Sequence, residues 1–92
     1  MKKIIYCLLI FSLILFTAFE VQKTKKKVLI IGDSISIGYT PFVKNKLSDV
    51  ADVFHNRGNA QDTGKGKKML SSWLGETKWD VIVFYFGLWD LR

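Results

Sequence analysis

Three short stretches carry the residue types that acyl transfer needs, and each follows an apolar run. Gly32-Asp33-Ser34 follows Val28 to Ile31, Gly58-Asn59-Ala60 follows Ala51 to His55, and Gly87-Leu88-Trp89-Asp90 follows Val81 to Phe86. A serine hydroxyl supplies a nucleophile, and backbone N–H groups steady the oxyanion of a tetrahedral intermediate, each donor being worth about 3–4 kcal/mol. Ser34 is the candidate nucleophile and Asp33 the turn support. Ser36 is a second hydroxyl nearby, and the turn at Gly32-Asp33-Ser34 favours Ser34. His55 is the sole histidine. It reads first as a partly exposed residue at a strand end.

The elements that must position these residues follow from the apolar pattern. Val28 to Ile31 is an uninterrupted apolar run with three β-branched residues, which predicts a short strand buried on both faces. Thr40-Pro41 is a favourable N-cap and first helical position, and Val43, Leu47 and Val50 then fall at helical spacing. Ala51 to His55 predicts a second strand, and Asn56 to Asp62 a polar loop. Asp62 or Thr63 caps a helix through Leu74, with Met69, Leu70, Trp73 and Leu74 on one face and Gly75 as its stop. Gly64 and Gly66 weaken its first turn. Val81 to Phe86 is the clearest strand. The order β-α-β-α-β predicts an α/β domain with a parallel sheet. In such a sheet all three loops emerge at the carboxyl edge, where ligands bind.

Gly32-Asp33-Ser34, with the Ile-Ser-Ile-Gly-Tyr after it, resembles the first block of the SGNH, or GDSL, hydrolases. The loop Gly58 to Thr63 sits where that family's second block belongs, and Gly87-Leu88-Trp89-Asp90 is similar to its third, Gly-x-Asn-Asp. The likeness spans Val28 to Asp90. It implies a three-layer α/β/α fold with a flavodoxin-like parallel sheet, incomplete here, and hydrolysis of carboxylic esters through an acyl-enzyme on Ser34. It implies oxyanion donors from the Ser34 N–H and from the Gly58-Asn59-Ala60 turn. Trp89 departs from the pattern, standing where the family has a donating asparagine. Either its indole N–H replaces that donor, or Asn59 supplies a carboxamide, or the hole is weaker. Gly87 and Asp90 are the other third-block residues. The family's general base lies in a carboxy-terminal Asp-x-x-His block beyond the third block, and no histidine follows Asp90 here. The resemblance therefore implies an inactive fragment of an esterase. A non-catalytic binding module or inactive remnant on the same fold is the alternative.

Length and charge bound the rest. Ninety-two residues allow one domain. Met1-Lys2-Lys3 followed by an uncharged apolar run to Phe19 reads as a secretory signal over residues 1–19, or else an uncleaved anchor. Extracytoplasmic placement follows, with membrane contact only through that segment. Residues 20–27 form a basic linker, and residues 28–92 the domain. The net charge is +6, yet aromatics do not interleave with the lysine clusters, which argues against nucleic acid. The one cysteine, Cys7, lies in the apolar leader and excludes an internal disulfide or a cysteine metal site. Gly58 to Gly66 has glycines spaced one residue too far apart for a phosphate loop, and glycine follows Lys65. Asp33 could bind a metal, but with no cluster around it the favoured reading is that it caps the turn. No metal or organic cofactor is called for, and the expected partner is a small-molecule, carbohydrate or lipid ester. Trp73, Trp79, Phe84 and Phe86 read as core. Tyr39 lines a substrate groove or packs.

Overall fold

The computed structural model describes residues 2–10 and 24–91. Residues 2–10 form a helix, α1, with exposed side chains. The second half of the expected leader and the first part of the basic linker, residues 11–23, lie outside the described residues. Among the described residues no helix is long and apolar enough to cross a membrane.

The domain is mixed α/β. A parallel three-stranded sheet has the order β2-β1-β3, from β1 (Lys26–Ile31), β2 (Ala51–His55) and β3 (Val81–Phe84). Helix α2 (Ser34–Lys46) joins β1 to β2, and α3 (Thr63–Leu74) joins β2 to β3. A single 3-10 turn, Leu88–Leu91, follows.

Central position explains the continuous apolar run of β1. Leu29, Ile30 and Ile31 are all buried. Alternation sends Leu29 and Ile31 to one face, against Ala60, Trp73, Leu74, Trp79 and Phe86. Ile30 goes to the other, with Ala51 and Val53, where Val28 and Val43 pack. Helix α3 thus serves the first face and α2 the second. Each fully buried aliphatic side chain contributes about 1.5–3 kcal/mol.

Three expectations are corrected. Helix α2 starts at Ser34, not at Thr40-Pro41, because the Asp33 side chain caps it by accepting the Ile35 N–H at 3.0 Å. Pro41 lies inside the helix. It removes one helical donor, from the Ile37 carbonyl, on a side where Ile37 and Pro41 are exposed and water can reach. The helix ends at Lys46, so Val50 falls in a turn and is exposed. Strand β3 ends at Phe84 rather than Phe86, and Phe84 is 71% exposed rather than core. Among the described residues β3 pairs with β1 alone, at the edge of the sheet.

Trp73, Trp79 and Phe86 are partly buried against the core, as the sequence suggests. Gly66 is buried in α3, and a Cβ there would meet the Phe86 ring at 2.6 Å. The glycine that weakens the helix therefore admits an aromatic ring onto its backbone.

Candidate functional site

The site begins where β1 ends. Asp33 is buried and turns the chain from strand to helix. Ser34, the first residue of α2, is exposed. Its amide is among the first-turn N–H groups that have no acceptor within the helix, and the helix dipole places partial positive charge there. Ser34 shares a cleft of about 340 Å3 with Asp33, Ile35, Leu88 and Trp89. The first and third loops therefore face each other across one small space.

The second loop is stitched to the first. Buried Asn56 accepts the Gly32 N–H on Oδ1 at 2.9 Å, and its Nδ2 donates to the Gly58 carbonyl at 3.0 Å. The Ala60 N–H donates to the Gly32 carbonyl at 2.9 Å. That commits the Ala60 amide to the loop itself. Asn59 Oδ1 accepts the Gln61 N–H at 2.8 Å, and the Asn59 carbonyl accepts from Lys65 Nζ at 2.9 Å. Gln61 holds a φ of 58°, the one left-handed non-glycine residue among those described. Such a conformation costs on the order of 1 kcal/mol and marks a tightly determined loop. Gly58 lines a second groove, with His55, Asn56 and the Ile37, Thr40, Pro41 and Lys44 side of α2.

The third loop is anchored from its far end. Asp90 Oδ1 accepts both the Thr63 N–H, at 3.0 Å, and the Thr63 hydroxyl, at 2.9 Å. The Asp90 N–H donates to the Gly87 carbonyl at 2.9 Å. Asp90 thus fastens the loop bearing Trp89 to the start of α3, beside the Asp62 cap, whose Oδ1 accepts the Lys65 N–H at 2.8 Å. The three loops lie together at the carboxyl edge of the sheet. Within that edge Trp89 flanks Ser34, whereas Gly58 lies in the groove of His55.

His55 binds Ser36. Its Nε2 is 2.6 Å from Ser36 Oγ, and its Nδ1 is 2.7 Å from the Asn56 carbonyl. A carbonyl only accepts, so Nδ1 carries a proton toward Asn56, and the one Ser36 hydroxyl proton goes to the Asp33 carbonyl at 2.7 Å while the same Oγ meets Nε2. This serine–histidine contact has the spacing of a nucleophile and base. Ser36 is 0% exposed, however, so no substrate reaches it.

Sequence reading did not foresee this pair or the part played by Asn56. The signal for the pair was present: Ala51, Val53 and His55 alternate along β2 and share a face. Ser36, Thr40 and Val43 form the inward stripe of α2, two of the three being polar. The contact forms where the row meets the stripe. Among the described residues no three His, Cys, Asp or Glu side chains gather as a metal ion requires. The chain matches no protein-family model, no curated protein and no solved structure.

Proposed function

We propose that the chain carries the nucleophile side of an SGNH-type serine hydrolase acting on carboxylic esters. The observation that carries this reading is the placement of Ser34. It is an exposed hydroxyl at the first position of a capped helix, beyond the central strand of a parallel sheet, facing a cleft. The strand order 2-1-3, with a helix packed on each face, also supports the reading, since a flavodoxin-like sheet has the same order in its first three strands.

In the proposed reaction Ser34 Oγ bonds to the ester carbonyl carbon as its proton leaves. The oxyanion is met by the Ser34 N–H at the start of α2. The carbon–oxygen bond then breaks, and the alcohol departs with a proton. Water next cleaves the acyl–serine bond, releasing the carboxylic acid. No cofactor enters either step. Because His55 is held on Ser36, the base comes from elsewhere, and the resemblance assigns it to an Asp-x-x-His element. The basic, apolar start of the chain supports extracytoplasmic placement, by export or by an anchor.

The test is covalent labelling by a fluorophosphonate, with imidazole in the buffer as an external base and the modified residue located by mass spectrometry. Labelling at Ser34 that Ser34→Ala abolishes is the expected result. A folded protein that stays unlabelled sinks the reading. It would favour the second one, a binding module on the same scaffold, for which the engagement of the sole histidine by Ser36 is the specific observation.

A further inference from the structure

We propose that His55 is a positioning residue for Ser34, acting through the buried hydroxyl of Ser36. The inference rests on the reading of Ser34 as the nucleophile. It adds a role for a histidine that this reading leaves unused.

The argument starts from the first turn of α2. Ser34, Ile35 and Ser36 are its first three residues, and Asp33 caps them. The cap alone ties this turn to itself: Ile35 N–H to Asp33 Oδ1, and Ile37 N–H to the Asp33 carbonyl at 3.0 Å. Both bonds are local and neither fixes the turn relative to the sheet. Ser36 supplies that link. Its Oγ contacts the Asp33 carbonyl behind it and His55 Nε2 at the end of β2.

His55 is itself fixed. It pairs with Ile30 in the sheet, and its Nδ1–H is held by the Asn56 carbonyl. A chain of short polar contacts therefore runs from β2 through His55 and Ser36 to the backbone of Asp33, the residue before Ser34. The space confirms how closely the parts fit. A Cβ on Gly32 would fall on Ser36 Oγ and lie 2.8 Å from Ser36 Cβ. Ser36 is wedged between the end of β1 and the end of β2. Without the His55 contact, the first turn keeps its own cap, the Thr40 hydroxyl on the Ser36 carbonyl at 2.6 Å and the covalent chain, but loses its hydrogen-bonded link to β2. A nucleophile misplaced by about 1 Å can lose up to a hundredfold in rate.

The test compares the intact chain with Ser36→Ala, His55→Ala, the double variant and His55→Gln. The first readout is labelling of Ser34 by a fluorophosphonate with imidazole present. The maximal rate is expected to fall about tenfold in either alanine variant, with the half-saturating probe concentration unchanged. The double variant should be no slower than either single one, because the two residues act as one unit. His55→Gln, whose amide reaches the Nε2 position, should recover most of the rate. Wild-type rates in Ser36→Ala, additive losses in the double variant, or no recovery with glutamine would overturn the proposal.

The second readout does not need a reactive Ser34. Exchange of the Ile35 amide hydrogen, measured by NMR, should quicken about tenfold in Ser36→Ala while amides of β1 keep their protection. Unchanged exchange at Ile35 overturns the brace even in a protein that labels. Absence of labelling with faster Ile35 exchange overturns the hydrolase reading and, with it, the role assigned to His55. Absence of both overturns each separately.

Discussion

The two flanks of β1 are built differently. On the β2 side the strand meets apolar partners in Ala51 and Val53, then a run of polar contacts through His55, Asn56 and Ser36. Ser36 and Asn56 are buried, and no buried side-chain polar atom among the described residues lacks a partner. On the β3 side, Val81, Ile82, Val83 and Phe84 are each 43–71% exposed. Backbone pairing joins β3 to β1, but its side chains bury little. The contrast shows that apolar character and contribution to the core are separate properties. Four hydrophobic residues in a row sit at an exposed edge, while a serine and an asparagine occupy the interior.

Register partners give the sharpest test of that contrast. Ile30 and Val83 lie opposite each other, the first buried and the second 44% exposed. Ile30→Ala is expected to cost about 4 kcal/mol in urea unfolding, the upper range for an aliphatic truncation in a packed interior. Gly32→Ala should follow at about 3 kcal/mol, because its Cβ overlaps Ser36 and the wedge has no free side to move to. Asn56→Ala leaves the Gly32 N–H and the Gly58 carbonyl without their partner, for about 2 kcal/mol by the same measurement. Val83→Ala should change stability by no more than about 0.5 kcal/mol. If Val83→Ala matched Ile30→Ala, the two flanks would be energetically alike and the comparison would break.

The same contrast explains what the sequence disclosed. Parallel strands announce themselves by uninterrupted apolar residues, so Val28 to Ile31 and the core of Val81 to Phe86 were readable. The alternation of helix and strand then dictated the order of elements. The run along β3 carried no mark of its edge position, since composition does not say which strand lies in the middle. The first two turns of α2 were hidden because their buried stripe begins Ser36, Thr40, and because Pro41 imitates a helix start. Asp33 was readable as a turn residue, but a cap declares itself only with a helix behind it.

Within the candidate site, Ser34 and its cleft with Trp89 could be anticipated from three loops sharing one edge. The commitment of the Ala60 amide to Gly32 could not. Nor could the grip of Asn56 on two loops at once, since a carboxamide chooses its partners only after the chain has folded. The alternation that sets His55 beside Val53 was visible but carried little weight without the stripe it meets.

The Phe86 ring lies against the bare backbone of α3 at Gly66, and Asp90 grips Thr63 one turn away. The segment bearing Leu88 and Trp89 is therefore pinned twice to one helix, before and after the residues that wall the cleft. Any shift of α3 along the sheet would carry that wall with it, whereas Ser34 is seated on α2. The width of the gap between hydroxyl and indole is thus set by how two helices on opposite faces sit against a single ribbon, and a disturbance at the far end of either helix would be felt there as a change in aperture.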